Sequence, residues 1–445
     1  MADSLPHSLI FDLPARPPKA SKTIASVLPT TSNSVGPNQL VSFNLPSQGF
    51  WQSHSTYLKF KASVTTAQKW SFAGIASSAA AFIDQIMINC GGQQISFEQL
   101  WGAYWNNNIL LAHAADHTAL NNASISEGAY LPNKVGIVEV TGDNDSYSQF
   151  GAAAGKTYIA NPDSNYNSGA AVEYTFCIPI RTGFFANKDG RSIPLCCMPG
   201  PITVNFYTAP VSRAFNTVAA DATATYTLSE FELIGTRLDV EQGYIDALRA
   251  GLNSGKVLKL EMSSYLALRV GAGPSVRQQV SVNMSSLDAI LYGLITAPES
   301  ESTSKWFQAP TSSTPNDPSI NESWFIDERQ IWSSPKLFNV PEMNHKELVR
   351  AIAGSLSDHG FQSIVSAVGA TSASANGSYV NCAYAKGLST KLYNDEGVSM
   401  GGSPAGTVSY SLVNSSVTTS MQYVIFLVYS MIVTIDRSGA VAKFM

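Results

Sequence analysis

The sequence predicts an all-β chain built as two β-sandwiches in series, and three observations predict it. From Gln39 onward, short runs rich in Val, Ile, Thr, Tyr and Phe recur between clusters of Gly, Pro, Asn and Ser, the punctuation of strands and turns. The chain has 445 residues, well above the ~150 at which one hydrophobic core is typical, so two packed units are expected. The runs also fall into two series of similar size, separated by one segment with helical spacing.

In the first series, Thr56 to Val64 alternates polar and apolar residues as a half-buried strand requires. Phe82 to Asn89, Val172 to Ile180, Ile202 to Tyr207 and Tyr226 to Val240 are its other clear strands. The second series comprises Lys256 to Val270, Val276 to Asn283, Ala289 to Ile295, Tyr379 to Ala385, Val408 to Val413 and Gln422 to Ile435. Between the series, Tyr244, Ile245, Leu248 and Leu252 recur at helical spacing within Glu241 to Leu252, and Gly255 sits just beyond as a stop. A second helix is expected where Phe97, Leu100, Trp101, Tyr104 and Trp105 follow the i, i+3, i+4, i+7, i+8 pattern. Its aromatic face suits core packing at one end of a sandwich.

Residues 1–38 contain Pro6, Pro14, Pro17, Pro18, Pro29 and Pro37 with little periodicity, and are expected to form an extended arm. Apolar beads at Leu9, Ile10, Phe11, Ile24, Val27 and Leu28 suit a tether that orders on neighbouring subunits. Ala114 to Ala171, Pro298 to Pro341 and about Gly369 to Gly406 are expected to be long loops, since each is rich in Ser, Asn, Gly or Pro. The run Ser55-Thr56-Tyr57-Leu58-Lys59-Phe60-Lys61 resembles Ser263-Ser264-Tyr265-Leu266-Ala267-Leu268-Arg269, a hint of internal duplication.

Charged residues make up 13% of the chain, against roughly 25% in ordinary soluble proteins, while 44% are hydrophobic and 10% aromatic. Such a surface suits a chain that hides much of itself against neighbours, because interface cores are depleted in charge. With 27 basic and 32 acidic residues the net charge is −5, which offers no global basis for wrapping a phosphate backbone. The start, Met1-Ala2-Asp3-Ser4, lacks the basic region and apolar stretch of a secretory signal, so none is expected. Tyr423 to Ile435, interrupted by Ser430 and Thr434, falls short of the ~20 residues of a membrane-spanning helix and is expected to be a core strand.

No catalytic constellation assembles from the sequence. Gly151-Ala152-Ala153-Ala154-Gly155-Lys156-Thr157 places one residue too few between its glycines for a phosphate loop, and no hydrophobic strand precedes it. His113-Ala114-Ala115-Asp116-His117 puts Ala114 where a zinc protease needs its general base, and no third ligand can be nominated. Cys90, Cys177, Cys196, Cys197 and Cys382 have no metal-ligand spacing and are expected to be reduced and mostly buried. Asp327-Glu328 and Asp395-Glu396 are expected to be solvated loop charges. No catalytic, cofactor-binding or metal-binding residues are therefore nominated.

From about Gln39 to Ile435 the order of segments resembles the double jelly-roll major capsid proteins of icosahedral DNA viruses. The resemblance is carried by Phe82-Ile83-Asp84-Gln85-Ile86-Met87-Ile88-Asn89-Cys90-Gly91-Gly92 and the helix through Trp105, then Phe176-Cys177-Ile178-Pro179-Ile180 and Gly183-Phe184-Phe185. Ser192-Ile193-Pro194-Leu195, Ile202 to Phe206 and the restart at Lys256 continue it. Small relatives of the large eukaryotic DNA viruses, virophage-like or polinton-like, are nearest in size and style. The resemblance implies two consecutive eight-stranded jelly rolls, at 39–240 and 256–445, joined by a connecting helix at 241–255 and preceded by the arm at 1–38. It implies a non-enzymatic shell protein without cofactors, a homotrimer forming a pseudo-hexagonal capsomer that tiles an icosahedral capsid. Its implied partners are neighbouring capsomers, penton and minor capsid proteins, and an internal membrane where one is present. The arm would lie on the inner face and the long loops outside, in a virion assembled inside the host cell. The arm, only slightly basic, gives no support for direct nucleic-acid binding. Two other classes compete with this reading. One is a glycan-binding or adhesive fibre or spike, since loop-bearing sandwiches also bind sugars; the other is a sandwich hydrolase using Asp327 or Glu328.

Overall fold

The computed structural model describes residues 20–66, 70–72, 78–105, 172–186, 191–217, 222–271, 275–282, 286–296, 321–326, 329–330, 336–337, 386–389, 398–399, 406–413, 421–436 and 441–444. Among the described residues eight principal strands frame the first unit: β1 (Ala20–Val27), β2 (Leu40–Asn44), β3 (Phe50–Thr65), β4 (Ile83–Cys90), β5 (Gln93–Gln99), β6 (Val172–Pro179), β7 (Ile202–Thr208) and β8 (Thr225–Val240). They make two antiparallel sheets, in the orders β1-β8-β3-β6 and β2-β7-β4-β5. Helix α1 (Gln242–Asn253) follows, close to its expected place. Its end is a Schellman closure: Lys256 N–H donates to the Gly251 carbonyl and Gly255 N–H to that of Leu252, with Gly255 at φ 92°.

The second unit repeats the scheme with β9 (Leu258–Gly271), β10 (Ser275–Val282), β11 (Ser286–Thr296), β12 (Asn321–Ile326), β13 (Arg329–Gln330), β14 (Lys386–Ser389), β15 (Gly406–Val413) and β16 (Met421–Ile435). Its sheets run β9-β16-β11-β14 and β10-β15-β12-β13, again antiparallel. Adding eight to every label of the first unit reproduces the second. Each unit is therefore a jelly roll framed by two sheets of four principal strands, which the short strands Ser34–Val35, Lys336–Leu337, Val398–Ser399 and Val441–Phe444 extend, with Trp70–Phe72 and Phe215–Thr217 paired apart, and the all-β expectation holds.

Burial explains why these residues form these strands. In β3, Leu58, Phe60, Ala62 and Val64 are buried while Tyr57, Lys59, Lys61 and Ser63 face outward, the period of two that a one-sided sheet demands. Phe60 meets Phe82, Phe176 and Phe231 at ring-centroid distances of 6.2, 6.0 and 5.8 Å, and each such buried ring contributes roughly 1.5–3 kcal/mol. β16 differs, because Val424 to Tyr429 are all buried, so both of its faces are covered. That is why its sequence is a continuous apolar run rather than an alternation.

Several expectations are corrected. Ala20–Val27, within the expected arm, is a strand paired along its whole length with β8, from Ala20 opposite Val240 to Val27 opposite Leu233. The strand order makes it the first strand of the first roll, the counterpart of β9, so that roll begins before Gln39. It lies at a sheet edge with only Ala25 and Val27 turned toward the core, which leaves little hydrophobic period to detect. The helix expected from Phe97 starts later, at Trp101: Phe97 belongs to β5, and Leu100, at φ 55°, turns the chain from strand into helix. Two expected loops contain strands, β12 and β13 with 336–337 in one, β14 with 398–399 in the other. All but β12 are two to four residues long, too short to show a period, hence their likeness to loop. The matched runs Ser55–Lys61 and Ser263–Arg269 lie in β3 and β9, which are not equivalent strands, so that match carries no duplication. The loop at 114–171 and the strand expected at Tyr379 to Ala385 lie outside the described residues.

Two outcomes test this architecture. Phe426→Asp would bury an unpaired charge in a strand covered on both sides and should cost about 3–5 kcal/mol, read as a lowered denaturation midpoint. Deleting residues 1–27 should lower the unfolding temperature by several degrees, because it uncovers the β8 edge and the first roll's flank; an unchanged melting curve would contradict the place given to β1.

Candidate assembly surface

The two rolls meet through the outer face of the β9-β16-β11 sheet. Tyr265 in β9 is buried at that face, its ring stacked on Tyr104 of the first roll at 3.9 Å and 18°, with Phe426 edge-on to both rings at 5.4 and 5.6 Å. The Tyr265 hydroxyl donates to the Gln99 carbonyl at 3.1 Å, and Ser263 N–H to the Ala186 carbonyl at 2.9 Å. Arg191 reaches across to the Lys259 carbonyl at 3.1 Å. Beneath the stack, Trp101 lies parallel to Trp105 at 5.9 Å and donates its indole N–H to Thr182 Oγ1 at 2.9 Å. The aromatic cluster foreseen from sequence is therefore core, and one member, Tyr104, joins the two rolls.

A fully buried carboxylate, Glu98, sits at this junction, where Ser264 Oγ donates to its Oε1 at 3.2 Å. Burial pushes the Tyr265 phenol well above its ordinary range, with the Glu98 charge adding to the shift, and burial likewise raises Tyr429. Gly183 makes room for the carboxylate: a Cβ there would stand 1.8 Å from Glu98 Oε1, and its φ of 56° suits glycine. Sequence reasoning missed Glu98 and Ser96 because both occupy alternate positions in β5, the pattern of a solvated face; the first roll's own turn at Gly183 and Ser264 of the second roll cover that face instead.

Among the described residues the corresponding face of the first roll, on β1-β8-β3, is more exposed. Ile24 is 76% exposed. At its other end the face carries ion pairs, Lys59–Glu232 at 2.9 Å and Lys61–Glu173 at 2.6 Å, with Ser26 donating to Glu232. The Ser26 hydrogen bond and Lys59 hold the Glu232 carboxyl below its usual range, while its hydrogen bond with Glu232 raises Lys59. Such exposed pairs add little stability but keep the face soluble.

Among the described residues, the others singled out from sequence do not gather into a catalytic or metal site. Cys90, Cys177, Cys196 and Cys197 are free thiols; the Cys196 and Cys197 sulfurs are 3.8 Å apart, and Arg249 of α1 donates to the Cys196 carbonyl at 2.9 Å. The hydrogen bond from Cys196, reinforced by the Arg249 charge, lowers the Cys197 thiol to about 7. Cys382, the two histidines at 113 and 117, the glycine loop at 151–157 and both acidic pairs lie outside the described residues. Among the described residues, no cluster of three or more His, Cys, Asp or Glu could hold a metal ion, and no helix is long and apolar enough to cross a membrane.

No family model and no curated protein matches the sequence. Solved structures match over nearly the whole chain. The cryo-EM structure of the Sputnik virophage matches with a TM-score of 0.57 at 10% identity, covering 100% of this chain and 93% of that one. VP54 of PBCV-1, as fitted into a reconstruction of Sputnik, matches with a TM-score of 0.56 at 11% identity, covering 96% and 97%. The fold is the double jelly roll of viral capsid proteins. The Faustovirus major capsid protein shares it as well, with a TM-score of 0.53 at 10% identity and coverage of 96% and 92%. At such identities the likeness is one of fold, and it spans nearly the whole of this chain and of the matched chains.

Gly183→Ala should test the junction. It would force a methyl group against the Glu98 carboxylate and a residue with a Cβ into a left-handed backbone, so a loss of about 2–4 kcal/mol is expected in chemical denaturation.

Proposed function

We propose that this chain is the major structural protein of an icosahedral viral shell, a non-enzymatic building block that associates as a homotrimeric, pseudo-hexagonal capsomer. The observation that carries the reading is the reciprocal, near-complete coverage between this double jelly roll and proteins of assembled virus particles. The composition supports the same reading, since 13% charge suits flanks that other copies cover. Capsomers of this kind would tile against one another in the virion, with penton and minor proteins as further partners and an internal membrane where the particle has one. Residues 1–19, preceding the first strand, would be the arm that reaches neighbours, and residues 241–255 the link between rolls. The glycan-binding fibre or spike reading is not favoured, because the matched Faustovirus protein is a shell component.

Light scattering and negative-stain electron microscopy of the purified full chain test the proposal. Particles with threefold symmetry and about three times the chain's mass are expected, and protein that stays monomeric at every concentration would overturn it.

A further inference from the structure

We infer that Cys196 and Cys197 form a redox modification site, a vicinal thiol pair that a hydroperoxide oxidises to a reversible disulfide between neighbouring residues. The inference stands apart from the shell-protein reading, and its basis is the way the fold holds these two sulfurs. They occupy a single turn of 3-10 helix, Leu195–Cys197, that follows the bridge between Ile193 and Trp51. Cys197 N–H donates to the Pro194 carbonyl at 3.0 Å and Cys196 N–H to that of Gly49 at 3.2 Å, so the backbone of both residues is tied down. The sulfurs come within 3.8 Å of each other. Cys196 is half-buried and Cys197 is 8% exposed, which sets the pair at the rim of the core, within reach of a small oxidant.

The surroundings separate this pair from an inert thiol. Arg249 of α1 donates to the Cys196 carbonyl at 2.9 Å, which brings a cation beside the sulfurs. On the β8 side, Asp239, which flanks Gly49, is paired with Arg237 at 2.9 Å. A partly exposed thiol next to a cation, with a second thiol in reach, is the microenvironment of a redox-responsive cysteine. Cys90 is the contrast: it is 1% exposed, its sulfur meets the Gly200 carbonyl at 3.8 Å, and burial raises it. Within the pair, the lowering of Cys197 to about 7 makes it the attacking sulfur, and the hydrogen bond it shares with Cys196 raises the latter.

The reaction balances with the hydroperoxide as oxidant. The Cys197 thiolate attacks one peroxide oxygen and the O–O bond breaks. The departing oxygen takes up a proton, leaving as water from hydrogen peroxide or as an alcohol from an organic hydroperoxide, and Cys197 becomes a sulfenic acid. Cys196 then attacks the Cys197 sulfur, the S–O bond breaks, and the hydroxide leaves as water with the proton that Cys196 gives up. Two electrons pass from the thiols to the peroxide. Neighbouring Cα atoms stand about 3.8 Å apart across a trans peptide, short of the roughly 4.4–6.8 Å usual for a disulfide, so the bond is strained and a thiol reductant reopens it.

Peptide mapping by mass spectrometry tests the site on the purified full chain, treated at neutral pH with a small excess of hydrogen peroxide and then alkylated. The peptide holding Cys196 and Cys197 should lose two hydrogens and escape alkylation, and dithiothreitol should restore both alkylation sites, while Cys90 stays a thiol throughout. In Cys196→Ser, the Cys197 sulfenic acid has no resolving partner, so its dimedone adduct should exceed that of wild type on the order of tenfold. In Cys197→Ser, oxidation at Cys196 should slow by a similar factor, because the low thiol is gone. The wild-type map decides the question even if a variant fails to fold. Both thiols still open to alkylation after Cys90 or Cys177 has oxidised, or oxidation of the pair that dithiothreitol does not reverse, would overturn the assignment. Equal dimedone adducts in wild type and Cys196→Ser would overturn it as well.

Discussion

A sheet covered on both faces needs two partners, and the β9-β16-β11 sheet finds its second one in the other roll. β16 carries apolar side chains at every position from Val424 to Tyr429, which no single sandwich interior could bury. One face closes the core of the second roll, and the other rests on Tyr104 and the turn that contains Gly183 and Phe184. The rest of the architecture depends on this double coverage. The connecting helix must return the chain so that β9 arrives alongside β5, and the first roll must offer a matching, largely desolvated platform.

The platform is polar as well as apolar, and the two parts act differently. Aromatic stacking at Tyr104, Tyr265 and Phe426 supplies burial, which is non-directional and tolerates sliding. Glu98, the Ser264 hydroxyl, the Tyr265 hydroxyl and the backbone of Gln99 and Ala186 supply directed bonds that one relative placement satisfies. A buried carboxylate is costly to desolvate, so it adds little net stability. It penalises misplacement, however, since a shifted second roll would leave the charge without its Ser264 donor. Gly183 belongs to the same device: its missing side chain is the space the carboxylate fills.

How much of this was legible in the sequence depended on how each strand meets water. β3 and the run ending at Ile435 were clear because coverage on one face leaves an alternation and coverage on two leaves a continuous run. α1 was clear because helical spacing and a closing glycine agree. β1 was hidden because an edge strand turning only Ala25 and Val27 inward leaves almost no pattern, and the flanking prolines suggest an arm. The β5 boundary failed for another reason: Phe97 falls at helical spacing from Trp101 by chance, whereas the left-handed Leu100 that separates them has no sequence signature. The junction was illegible because Ser96 and Glu98 look solvated until the distant turn at Gly183 and the second roll lie on them.

The same logic explains why two rolls of identical strand order share so little sequence. Equivalent strands β3 and β11 differ in the way their surroundings differ. β3 alternates the buried Leu58, Phe60 and Ala62 with Tyr57, Lys59 and Lys61, which stay partly exposed on its outer face. In β11, Ile290 and Leu291 are consecutive and both fully buried, so both sides of that strand are covered. Hydrophobic period in a double jelly roll thus reports how many faces the chain itself covers, and not which strand of the roll is being read. Lys59, Lys61 and Glu232 accordingly keep soluble a surface whose counterpart in the second roll is partly buried against the first roll.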